Sequence, residues 1–147
     1  MKKALFGIIL PVVLFALSQL AVGQAGASLN DQLIQAAQGD NVAVVQQLLT
    51  RGADIEARDK NGYTALIMAS FHGRNEVVML LLDKGANTEA RTTEFGWTAL
   101  ILAAWQGKTE VVRLLLAKGA NVDAMDNSGH SVWTGRPSAT AMKFTVC

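Results

Sequence analysis

Gly62-Tyr63-Thr64-Ala65-Leu66-Ile67 is read again, one period further along the chain, as Gly96-Trp97-Thr98-Ala99-Leu100-Ile101. Around this pair a second signal keeps time. Gly52-Ala53-Asp54, Gly85-Ala86-Asn87 and Gly119-Ala120-Asn121 fall at the same interval to within one position. A period in the low thirties means stacked supersecondary units, each too small to bury its own apolar face.

Each unit reads as two short helices and an extended loop. In the middle unit, Leu66, Ala69 and Ser70 form one stripe at i, i+3, i+4, and Val78, Leu81 and Leu82 form another. The unit after it repeats them as Leu100, Ala103, Ala104 and Val112, Leu115, Leu116. The unit before it supplies Leu33, Ala36, Ala37 and Val45, Leu48, Leu49. Small residues on the first helix let its neighbours approach closely, while the bulkier second helix fills the space between units. Leu48, Leu81 and Leu115 should therefore line a common spine.

The punctuation agrees. Gly73 and Gly107 end the first helix, and Gly85 and Gly119 end the second. Thr64 and Thr98 stand where N-caps are needed. Glu76 and Glu110 fall in the first turn of the second helix, where its dipole favours acid. Asp59-Lys60-Asn61-Gly62 and Asp126-Asn127-Ser128-Gly129 have the form of type I turns and should tip finger-like loops. Two irregularities stand out. Gly39 comes one position early in the first unit, with Asp40 where a glycine is due. The tip Arg91-Thr92-Thr93-Glu94-Phe95 has one extra residue and no aspartate, so it is expected to be the least regular.

From about Leu29 to Asp126 these residues closely resemble the ankyrin repeat, with its Asp-x-x-Gly-x-Thr-Pro-Leu-His, Ala-Ala-x-x-Gly and Val-Val-x-x-Leu-Leu-x-x-Gly-Ala segments. The resemblance implies an all-α solenoid of about three helix-turn-helix repeats, at about 28–60, 61–94 and 95–127, with finger-like turns. The family's Pro and His are Ala65 and Ile67, then Ala99 and Ile101. The family's Thr-to-His bond is thereby lost, with Ile packing as the substitute. A fourth unit starts at Gly129-His130-Ser131 but offers Trp133, Arg136 and Pro137 where Leu, Ala and Ala are required. Residues 128–147 therefore read as an incomplete repeat or irregular tail. Three units are near the lower limit for a stable stack, which predicts modest stability, or a partner or second copy covering the third.

Residues 1–27 read as an export signal. Lys2 and Lys3 precede an uncharged run over residues 4–17, and Ala25-Gly26-Ala27 fits cleavage after Ala27. The apolar run is shorter than a spanning helix requires. A membrane tether follows only if the segment stays uncleaved. The expected destination is the periplasm or the exterior. Taking Lys2 and Lys3 from the 13 basic side chains leaves 11 against 12 acidic, a balance that gives no reason to expect nucleic acid. Cys147 is the only cysteine, so no internal disulfide is available.

No catalytic constellation is visible. His72 and His130 stand in different units without metal-ligand spacing, and no phosphate-cradling loop is present. This points to a non-enzymatic chain without a cofactor. What the repeat does not need is more informative. The residue after the turn glycine and the pair before the inter-helix glycine are Tyr63 with Phe71-His72, then Trp97 with Trp105-Gln106. In the resembled family these positions face the groove that meets a protein partner. Their rings either form a partner-binding stripe or pack on one another to cover the helices. Lys60, Asn61, Glu94 and Phe95 at the finger tips complete the candidate site, the polar ones as its rim.

The chain is similar to small periplasmic ankyrin-repeat proteins of Gram-negative bacteria, some associated with oxidative-stress protection through a catalase partner. The expected role is thus an exported protein-binding module. The alternatives are a tethered or self-associating spacer and a binder with a site between units.

Overall fold

The computed structural model describes residues 27–132. The expected export segment before Ala27 and the tail residues Trp133, Arg136 and Pro137 lie outside the described residues. Six helices follow one another: α1 (Leu29–Gln38), α2 (Val42–Thr50), α3 (Ala65–His72), α4 (Asn75–Asp83), α5 (Ala99–Trp105) and α6 (Thr109–Ala117). Among the described residues the β-structure is one isolated antiparallel bridge, Met125 to Ser131. The fold is the all-α solenoid of three helical pairs.

Local chemistry starts and stops each helix. Ser28 closes a capping box on α1: its hydroxyl accepts from the Asp31 amide at 3.1 Å, and the Asp31 carboxylate accepts from the Ser28 amide at 3.1 Å. Thr64 and Thr98 cap α3 and α5 by accepting from the amides of Ile67 and Ile101, each at 3.3 Å. Gly73 ends α3 in the left-handed region at φ 71°. In the first unit that conformation falls on Asp40, at φ 59°, while Gly39 keeps φ −85°. The early glycine is therefore not the functional equivalent of Gly73. Asp40 takes the left-handed position itself, which a short polar side chain tolerates better than most.

The first helices of the units, α1, α3 and α5, pack side by side in one row, and α2, α4 and α6 form a second row behind them. Of the small residues expected to permit close approach, Ala37, Ala69, Ser70 and Ala103 are fully buried, while Ala36 and Ala104 are half-buried. Leu48, Leu81 and Leu115 lie in one continuous core. Ile67 and Ile101, in place of the family's histidine, are buried in it or beside it.

Position in the stack decides what the repeat cannot. Val77 and Val111 are wholly buried, but their counterpart Val44 is 37 % exposed because no described unit precedes it. Leu82 is buried against the next unit, whereas its counterpart Leu116, at the end of the described stack, is 39 % exposed. The expected uniform stripe on the second helix is thus incomplete: Leu116 lacks a described neighbour to cover it, and Leu49 in the first unit is only half-buried.

Candidate functional site

The site is built on the fingers that stand off the helix rows. In the first described turn, Asp59 Oδ1 accepts from the amides of Asn61 and Tyr63, both at 2.9 Å, and the Gly62 amide closes on the Asp59 carbonyl at 2.9 Å. The turn of the third finger repeats this. Asp126 Oδ1 accepts from the amides of Ser128 and His130 at 2.8 Å. The middle tip is the least regular of the three, as expected, yet it is closed as well. Thr92 takes over the aspartate's position: its hydroxyl accepts from the Trp97 amide at 3.0 Å and its carbonyl from the Gly96 amide at 3.1 Å. The extra residue widens the turn without opening it, and Thr92 is buried.

The fingers are tied to one another by bonds that recur with the repeat. Arg58 Nη1 donates to the Arg91 carbonyl at 2.8 Å, and Arg91 Nη1 donates to the Met125 carbonyl. Glu56 accepts from the Asn87 amide at 2.7 Å, and Glu89 from the Asn121 amide at 2.8 Å. Main chain joins main chain at the tips: the Thr93 amide donates to the Asn61 carbonyl and the Asn127 amide to the Phe95 carbonyl. Gly62 permits the first of these joints. A Cβ there would come within 2.6 Å of the Thr93 amide nitrogen. None of the four charged residues in these ties was singled out by sequence reading, where they resemble ordinary solvated charges. Their only signal is recurrence: Arg91 repeats Arg58 one period on, and Glu89 repeats Glu56.

All ten candidate residues keep some contact with solvent. Lys60, Asn61, Glu94, Phe95, Trp105 and Gln106 are exposed, while Tyr63, Phe71, His72 and Trp97 are half-buried. Within this set the structure joins three rings. Phe95 stacks on Trp97 with centroids 4.3 Å apart and planes 16° apart, and Trp97 lies 5.9 Å from Trp105. Phe95 is 41 % exposed and Trp105 53 %, so this array opens to water. In the neighbouring unit Phe71 meets His72 edge-on at 5.1 Å, and Tyr63 packs on the core.

Electrostatics mark two of these groups. Burial and the nearby charges of Arg74 and Lys108 push His72 below its ordinary range. Asp126 is the link between the array and the third finger: its Oδ2 accepts from Trp97 Nε1 at 3.3 Å and lies 3.5 Å from His130 Nδ1. Burial would raise this carboxyl. The amides of His130 and Ser128, the Trp97 indole and the His130 ring more than offset that and hold it low. Among the described residues no group of three His, Cys, Asp or Glu could hold a metal ion.

A family model described as "Ankyrin repeats (3 copies)" matches residues 33–126, well over half of the chain. The chain belongs to the ankyrin-repeat family. An ankyrin repeat protein of Rickettsia felis is 42 % identical over 50 residues, which cover 34 % of this chain and 79 % of that one. An ankyrin repeat-containing protein of Treponema pallidum is 44 % identical over 55 residues, 37 % of this chain and 18 % of its own length. The mitochondrial disaggregase of Bos taurus is 44 % identical over 55 residues, 37 % of this chain but 8 % of the disaggregase. The chain thus spans less than a tenth of the disaggregases it matches. Their likeness reaches the repeats and no further. The ankyrin repeat is generally a protein-interaction module, and that coarse role is the one the family gives this chain.

Proposed function

We propose that this ankyrin-repeat protein is a non-enzymatic adaptor that binds a protein partner through its finger tips and the open side of α3 and α5. The carrying observation is the contiguous Phe95–Trp97–Trp105 array, half open to water on a scaffold whose fingers are already locked together. Aromatic residues of this kind dominate interface hot spots, because a rigid ring covers much area at little entropic cost. Lys60, Asn61 and Glu94 surround it as a polar rim, and Gln106 and His72 extend it along the helix ends.

The adaptor works outside the cytoplasm in this reading. Support comes from Lys2 and Lys3, the apolar run over residues 4–17 and Ala25-Gly26-Ala27, together with Ser28 capping the first helix directly after the expected cut. The resemblance to small periplasmic ankyrin-repeat proteins adds oxidative-stress protection as the physiological setting.

The test is a pull-down from periplasmic extract with the wild type and a Phe95→Ala/Trp105→Ala variant. These two rings are the exposed ends of the array, so their removal leaves the fold in place. A captured protein lost with the variant is expected. Equal recovery of everything captured would remove the aromatic site. Mass spectrometry of the exported protein should find Ser28 at its N-terminus; a chain still starting at Met1 in the membrane fraction would favour the tethered spacer.

A further inference from the structure

The segments that carry the three rings are one-sided in charge, with Lys60 on the neighbouring finger tip as the rim's cation. Residues 92–107 and 119–132, which form the second finger tip, α5 and the third finger, contain Glu94, Asp123 and Asp126 but no lysine or arginine. Of the adjoining cations, Arg91 is engaged with the Met125 carbonyl, and Lys108 lays its aliphatic stem over Gly73, where a Cβ would come within 2.7 Å of it. Glu94 sits beside Phe95 in a tip whose position is set twice over: Asn127 Nδ2 donates to the Glu94 carbonyl at 3.0 Å and the Asn127 amide to the Phe95 carbonyl at 2.9 Å. Among the described residues the Glu94 carboxylate makes no ion pair.

Asp126 acts on the rings themselves. Its carboxylate accepts from the Trp97 indole, which pushes electron density into the ring and makes its face a better seat for positive charge. Trp is also the strongest of the aromatic side chains for that contact.

We infer that the Phe95–Trp97–Trp105 array, flanked by Glu94 and Asp126, is the seat for a cationic side chain of the protein partner, with arginine favoured over lysine. Arginine is favoured because its planar guanidinium stacks on a ring face while its edge donates to a carboxylate, and because it is less strongly hydrated than an ammonium group. This rests on the adaptor reading, and it names the chemistry of the contact that reading leaves open.

The experiment selects displayed random dodecapeptides on the full chain. Winners are measured against wild type, Trp105→Ala and Glu94→Gln, with circular dichroism confirming that both variants keep the wild-type melt. The expected winners carry arginine. Changing that arginine to citrulline, or Trp105 to Ala, weakens binding about tenfold, and Glu94→Gln weakens it less and removes most of its salt dependence. Winners that lack cations yet still need Trp105 would overturn the cation seat and leave the adaptor reading standing. Winners indifferent to Trp105, or no winners, would overturn both.

Discussion

Leu81→Ala measures the stacking directly. Leu81 is fully buried in the middle unit, on a helix packed by α2 on one side and α6 on the other. Truncation to Ala removes three carbons' worth of burial, about 2.4 kcal/mol at ~0.8 kcal/mol per methylene. A wall held on both sides collapses little, so the residual cavity brings the total to about 3–4 kcal/mol. For a folded region of this size that lowers the thermal midpoint by about 15 °C or more. Leu116→Ala is the matched control. The same chemical change is made at a side chain 39 % exposed at the end of the described stack, and it should cost only about 1 kcal/mol. Urea unfolding followed by circular dichroism gives both numbers on one protein. Equal losses for the two variants, or a loss below about 1 kcal/mol for Leu81→Ala, would mean that the helix pairs do not shelter each other as described.

Two further outcomes follow from single groups. The Ser70 hydroxyl is fully buried without a hydrogen-bond partner among the described residues, and its counterparts in the other units are Ala37 and Ala104; Ser70→Ala should therefore raise stability by about 1 kcal/mol in the same urea titration, and a loss would reveal a bond to that oxygen. Asp126 has its folded-state pKa held below the unfolded value, so its stabilising contribution is complete above the ordinary carboxylate range and drains away as pH falls through the lower folded value. Acid unfolding of Asp126→Asn should show a flatter limb in that window than wild type, together with altered Trp97 fluorescence at neutral pH; superimposable acid limbs would separate the carboxylate from stability.

The fold was legible because the repeat is written three times. Leu33, Leu66 and Leu100 occupy equivalent places, as do Leu48, Leu81 and Leu115, and all six are buried. What the repeat hides is whatever depends on neighbours in space. Val44 and Val77 are the same residue at the same repeat position, yet only the second has a described unit in front of it. Thr92 looked like a lost aspartate because pattern matching compares side chains, whereas the turn needs an acceptor at one point in space, which a hydroxyl reaches in a wider loop. Asp40 stands where the repeat calls for a glycine, and what that place requires is a backbone angle, which Asp40 adopts itself. The candidate surface was half visible. The recurrence of Tyr63 with Trp97 and of Phe71 with Trp105 found the rings. The tightest ring contact, however, is Phe95 on Trp97 within one finger, and the link from Trp97 to Asp126 reaches across to the next.

The finger ties carry a consequence for recognition kinetics. Loops that hang free must be frozen when a ligand arrives, and each frozen segment slows productive encounter and weakens the complex. Here Arg58, Arg91, Glu56 and Glu89 have given up that freedom during folding, so successive turns meet an incoming molecule as one stiff comb. Its teeth cannot shift singly to suit different shapes, so a rigid ligand with matching spacing is received at once and a mismatched one is refused.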